Sequence, residues 1–176
     1  MGMKDALELE TRRRIYRKVS AVPGMYFREI QRALGLEVGE TEYHMSYLER
    51  AGLLSVQLEG NRKRYFARGA VDERDRRLLS LLRQDLPRRI AMDILLAGKR
   101  SFQELLDKFG KAKSTLSFHL SKFSESGYLN VERVGKENVY TLSDPDRVAK
   151  ALIAYRETFM DEAVDRFAEA WLELRP

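Results

Sequence analysis

The sequence predicts a mainly α-helical fold with small β-hairpins, built as two copies of one module. Two observations carry that expectation. The first is an internal repeat: shifted by 75 residues, the chain falls into register with itself without a gap. Phe27-Arg28-Glu29-Ile30 lies over Phe102-Gln103-Glu104-Leu105, and Tyr43-His44-Met45-Ser46 over Phe118-His119-Leu120-Ser121. Gly35, Gly52 and Gly60 lie over Gly110, Gly127 and Gly135. The second observation is the order of local signals within each copy. Three helical stretches are followed by two short extended runs around a glycine turn.

In the first copy, Ile15, Val19 and Val22 mark one face of a helix over 11–22, which Pro23-Gly24 breaks. A short helix follows over 27–34 and ends at Gly35. A third, over 39–51, sets Thr41, Met45 and Leu48 on one face, and Gly52 stops it. Residues 53–58 and 64–67 then read as two strands around Gly60-Asn61. The second copy repeats this with helices over 89–96, from Ser101 on, and over 114–126. Ser101 and Glu104 form a capping box, and Leu116, Leu120 and Phe123 point inward. Its strands are 128–134 and 138–142, around Gly135-Lys136.

Helix, helix, turn, helix and hairpin in this order is the winged helix-turn-helix arrangement. In it the third helix enters a DNA major groove and the hairpin, or wing, reaches the flanking backbone. The expected layout is a first winged-helix domain over 1–70, a linker helix over 71–86 ending before Pro87, and a second winged-helix domain over 87–144. A long C-terminal helix from Asp144-Pro145 fills 145–176. That last helix carries Val148, Leu152, Tyr155, Phe159, Val164, Phe167, Trp171 and Leu174, a stripe too apolar to lie bare in water. Leu152, Tyr155, Phe159, Phe167 and Trp171 are its candidate dimerisation or packing residues.

Composition removes most chemistry. The 176 residues contain no cysteine and two histidines, which excludes disulfides, thiol catalysis and a cysteine- or histidine-rich metal centre. No Gly-rich phosphate loop or nucleophile–base arrangement can be placed, so neither an enzyme nor a cofactor is expected. There is no run of about 18 apolar residues that could span a membrane. Met1-Gly2-Met3-Lys4-Asp5 does not resemble a signal peptide, and a cytoplasmic protein is expected. A net charge of +5 favours a polyanionic partner.

Beyond these patterns, the chain resembles the archaeal tandem winged-helix transcription regulators, relatives of the ArsR and MarR groups. The residues that carry the resemblance are Thr11-Arg12-Arg13-Arg14-Ile15-Tyr16, Pro23-Gly24-Met25-Tyr26-Phe27-Arg28-Glu29-Ile30 and the run from Tyr43 to Leu54. To these add the Ser-Thr-Leu-Ser-x-His-Leu pattern of 114–120 and the C-terminal Tyr155-Arg156, Asp165-Arg166-Phe167 and Trp171-Leu172. The resemblance implies DNA binding, and regulators of this kind bind two-fold-related sites as homodimers.

Charge sorts the two copies. The first third helix and its flank carry Glu37, Glu40, Glu42 and Glu49 against Arg50 alone, whereas the matching stretch of the second copy carries Lys108, Lys111, Lys113 and Lys122 unopposed. The wings reverse the bias: Arg62, Lys63 and Arg64 stand at the first, and Arg133 and Lys136, offset by Glu132 and Glu137, at the second. The expected DNA-binding residues are therefore Lys111, Lys113, Ser114, Thr115, Ser117, Phe118, Ser121 and Lys122 on the second domain's helix. Arg133, Lys136, Arg62, Lys63 and Arg64 follow on the wings, with Tyr43 on the first third helix. His44 and His119 match through the repeat, which favours a structural or phosphate-touching role over metal ligation. The alternative to a sequence-specific double-stranded DNA-binding regulator is a protein-interaction module of a transcription or chromosome-organising assembly. The acidic first helix would then meet a protein of that machinery.

Overall fold

The computed structural model describes residues 6–174, without the side chain of Leu174. The five N-terminal residues read above and the side chain of the last apolar position of the C-terminal stripe therefore lie outside what the structure describes. The chain divides into two compact units, Met1–Arg76 and Arg77–Pro176.

Unit 1 runs α1 (Glu10–Ala21), β1 (Met25–Tyr26), α2 (Phe27–Leu34), α3 (Val38–Arg50), β2 (Leu54–Glu59) and β3 (Arg62–Ala67). Ile15 and Val19 of α1, Ile30 of α2, Met45 and Leu48 of α3 and Leu54 and Tyr65 of the sheet meet in its core. Burying each such side chain is worth about 1.5–3 kcal/mol. Thr41, the polar member of the buried face of α3, donates its hydroxyl to the Glu37 carbonyl at 2.8 Å.

Unit 2 repeats the order. After α4 (Glu73–Leu82), which begins at the end of unit 1, come α5 (Asp85–Ala97), β4 (Arg100–Ser101), α6 (Phe102–Phe109), α7 (Lys113–Glu125), β5 (Leu129–Val134) and β6 (Glu137–Leu142). The 75-residue register holds at the start of every matched element from α1 and α5 onward. It holds in strand pairing as well: Met25 faces Tyr65 and Arg100 faces Tyr140, in sheets ordered β1-β3-β2 and β4-β6-β5. The two-residue strands β1 and β4 have no sequence signal; they exist because a hairpin lies alongside to pair with. The Ser101 box forms as expected, with the Glu104 amide donating to Ser101 Oγ at 3.2 Å and the Ser101 amide to Glu104 Oε2 at 2.7 Å. Such a cap is worth about 1 kcal/mol. Gly35 and Gly110 end α2 and α6 with φ of 63° and 57°. A side chain there would cost about 1–2 kcal/mol, and the sharp helix-turn-helix corner needs that conformation.

Two expectations are corrected. The linker helix does not run to residue 86. It ends at Leu82, and α5 starts at Asp85 with Pro87 inside its first turn. The missing proline N–H is not needed there, so Pro87 begins a helix instead of terminating one. The long C-terminal helix is three helices, α8 (Pro145–Ala154), α9 (Arg156–Phe159) and α10 (Glu162–Leu174). Met160 turns left-handed, with φ of 46°. Asp161 then opens α10, accepting the Ala163 amide at 3.0 Å and the Arg88 guanidinium at 2.6 Å. The chain folds back, and Val148, Leu152, Val164 and Phe167 are buried in unit 2. Tyr155, Phe159 and Trp171 are half-buried, with the Phe167 and Trp171 rings 5.6 Å apart. Of the two readings of the stripe, dimerisation or packing, these residues show packing within their own unit.

Candidate nucleic-acid interface

In unit 2, α7 is held from beneath by Leu116, Leu120 and Phe123, each almost fully buried. Its other face is open. Lys113, Ser114, Thr115, Ser117, Phe118, Ser121 and Lys122 are all exposed, Phe118 by 58%. Ala112 at the N-cap offers no side-chain acceptor, and the first turn contains no carboxylate. The first N–H groups of α7 therefore remain free donors beside Lys111 and Lys113, the setting in which a helix terminus holds an anion. At the equivalent end of α3, Glu37 is the N-cap residue and Glu40 lies in the first turn, so the same backbone donors face negative charge.

The four lysines of this region are not equally available, which corrects the sequence reading. Lys108 donates to Asp93, a buried carboxylate that Arg100 Nε also grips at 2.7 Å. Burial pushes Asp93 up, but those two hydrogen bonds and cationic charges outweigh it and hold the carboxyl below its ordinary value. Lys122 pairs with Glu125 at 3.2 Å, although both side chains stay more than half exposed. Only Lys111 and Lys113 make no ion pair among the described residues. Asp93 is a residue that sequence reasoning missed, because nothing local marks it; its partners come from β4 and α6.

The wings also differ from expectation. In unit 2, Arg133 and Lys136 are exposed at the hairpin end. In unit 1, Arg62 and Lys63 are exposed, but Arg64 is only 2% exposed and turned inward. Its Nε donates to Glu59 at 2.8 Å, its Nη1 donates to the Gly24 carbonyl at 2.8 Å, and it lies 4.1 Å from the Tyr26 ring centre. Arg64 is therefore removed from the DNA-facing set. It braces β1 against the hairpin.

Tyr43 is 58% exposed on α3 and meets His44 edge-on at 5.1 Å, as Phe118 meets His119 at 5.3 Å. Burial lowers both histidines' pKa, and Arg12 adds to the effect on His44 against Glu40. Their neutral forms are thus the packed forms. Arg28 and Arg32 on α2, passed over in the sequence, are exposed and line a groove with the first wing. The described residues contain no group of three or more His, Cys, Asp or Glu that could hold a metal ion, and no helix long and apolar enough to cross a membrane.

Residues 9–79 match a family described as an N-terminal HTH domain, and residues 87–131 match the bacterial regulatory protein, arsR family. The chain is 26% identical over 135 residues to an uncharacterized HTH-type transcriptional regulator of Methanocaldococcus jannaschii. The match covers 77% of this chain and 34% of that protein, so it spans about a third of the relative's length. A crystal structure of an ArsR family transcriptional regulator aligns with a TM-score of 0.39 at 19% identity, covering 48% of this chain and 88% of that one.

Proposed function

We propose, from the premise that the chain belongs to the helix-turn-helix transcriptional regulators and carries two such domains in tandem, that it is a sequence-specific double-stranded DNA-binding regulator read mainly through unit 2. It acts without catalysis, in the cytoplasm where the chromosome lies. On this reading α7 enters the major groove. Lys111, Lys113 and the free N–H groups of its first turn take phosphates. Ser114, Thr115, Ser117 and Ser121 face base edges, and Phe118 meets a thymine methyl or a sugar. Arg133 and Lys136 on one wing and Arg62 and Lys63 on the other add backbone contacts. The observation that carries the proposal is the exposed face of α7, a row of hydroxyls and lysines with no carboxylate before Glu125.

The test is selection of bound duplexes from a random pool, followed by a salt titration of the winner. Each lysine on a phosphate contributes about 0.9 to the slope of log affinity against log salt. Lys111→Ala/Lys113→Ala should therefore flatten the slope by about 2 and weaken binding for every sequence. An unchanged slope would remove α7 from the interface. The symmetry of the selected motif reports whether one copy or a two-fold pair occupies it. A second reading, a protein-interaction module, draws on α3, whose outward face sets Tyr43 and Val38 among Glu37, Glu40, Glu42 and Glu49. Absence of any enriched motif together with capture of a basic transcription-machinery protein would favour it.

A further inference from the structure

The two copies also differ in charge where α2 meets the first wing. There Tyr26, Phe27 and Tyr65 line a groove of about 730 Å³ together with Arg28, Arg32, Arg62 and Lys63. None of those four cations has an ion-pair partner among the described residues; Arg62 only approaches the Tyr26 ring, at 5.5 Å. The one carboxylate lining the groove among the described residues, Glu29, accepts the Tyr26 amide at 2.7 Å. Through the 75-residue register the same four positions in unit 2 are Gln103, Asp107, Glu137 and Asn138. The fold therefore does not require the charges, and they are a property of unit 1 alone.

Four unpaired cations exceed what one carboxylate can neutralise, and three of them are guanidinium forks that match phosphate oxygens two at a time. The half-buried Tyr26 and Phe27 put aromatic edges into the same groove, and the volume falls in the range of small-ligand pockets. A DNA duplex reaches Arg62 and Lys63 at the wing tip but fits the α2 side of this groove poorly. The adjoining hollow, of about 310 Å³, shares Phe27, Lys63 and Tyr65 but is lined by Glu42 and Glu49 of α3. A backbone laid along the face would bring phosphates onto those carboxylates, whereas a small anion meets only the cationic end.

We infer that unit 1 carries a binding site for a small organic polyphosphate bearing a flat ring, in the groove between α2 and the first wing. Arg28, Arg32, Arg62 and Lys63 hold the phosphates, and Tyr26 and Phe27 border the ring.

The experiment is calorimetric titration of the full chain, at low salt and without divalent metal, with ATP, tripolyphosphate and adenosine as probes. ATP is expected to bind at least about tenfold more tightly than tripolyphosphate, and adenosine alone not to bind measurably. The variant Arg28→Gln/Arg32→Asp places in unit 1 the residues that unit 2 already folds with. It should weaken ATP by at least about tenfold while leaving duplex affinity within about threefold. Lys111→Ala/Lys113→Ala should leave ATP binding unchanged while weakening the duplex. Absence of ATP binding, or tripolyphosphate binding as tightly as ATP, would overturn the inference. So would an Arg28→Gln/Arg32→Asp variant that loses duplex affinity as steeply as ATP affinity, which would make the groove a DNA-backbone contact. Weak duplex binding by every variant alongside intact ATP binding would count against the DNA-binding reading only.

Discussion

Asp161→Asn tests the contact that folds the C-terminal segment onto unit 2. Arg88 is 6% exposed and donates from Nε and Nη2 to Asp161, at 2.9 and 2.6 Å, and from Nη1 to the Leu82 carbonyl at 3.0 Å. Its other carboxylate contact, Asp85 at 3.2 Å, is largely in solvent. Breaking a buried pair costs about 3–5 kcal/mol because the remaining charge loses its counter-ion. The asparagine oxygen still accepts, and the Asp161 side chain is 19% exposed, so about 2–3 kcal/mol is expected. For a unit of about this size that corresponds to a fall of about 10–20 °C in Tm. Trp171 is the chain's one tryptophan and lies in α10, so its fluorescence reports this unit alone. Burial raises the Asp161 pKa, but hydrogen bonds from Arg88 and the Ala163 amide, with the charges of Arg88 and Arg89, bring it below the ordinary 3.8. The contribution is thus complete above that value and lost as the pH falls through the lower folded one. The gap between wild type and variant should close below pH 3.8. A Tm within about 2 °C of wild type at neutral pH would refute the reasoning.

Other outcomes follow from the same geometry. Met160→Gly relieves the left-handed backbone at a residue 93% exposed. It should stabilise unit 2 by about 0.5–1 kcal/mol, read as a rise in the Trp171 transition. Arg64→Ala should cost unit 1 about 2–4 kcal/mol in urea unfolding followed by circular dichroism, whereas Arg62→Ala should stay within about 0.5 kcal/mol. His44 and His119 have folded pKa values below the ordinary 6.5. Their stabilisation is therefore present above that value and lost as the pH falls through the lower folded one, and His44→Gln/His119→Gln should flatten stability against pH between about 7 and 5.

Periodicity made the helix-turn-helix cores legible. The faces of α3 and α7 that pack are those carrying apolar residues at helical spacing, Thr41-Met45-Leu48 and Leu116-Leu120-Phe123. Helical geometry alone then sets the residues between them outward. The contrast between the acidic and basic third helices was legible for the same reason. Charge pairing was not. Lys108 and Lys111 look alike along the chain, yet only Lys108 lies within reach of Asp93, fifteen positions away in sequence.

By itself, the amino-acid sequence determined the doubled module, because a 75-residue register of glycines and apolar residues constrains local conformation in both copies at once. Tertiary structure decided which of the basic residues are free. Arg62 and Arg64 sit two apart on one strand and have the same side-chain type, but Arg64 stands opposite Tyr26 of β1, a strand too short to signal itself, while β1 ends before Arg62. It also decided the fate of the C-terminal stripe. An apolar face must be covered, but whether by its own unit or by a partner depends on where the chain can turn, and that turn is made by Met160 and the distant Arg88.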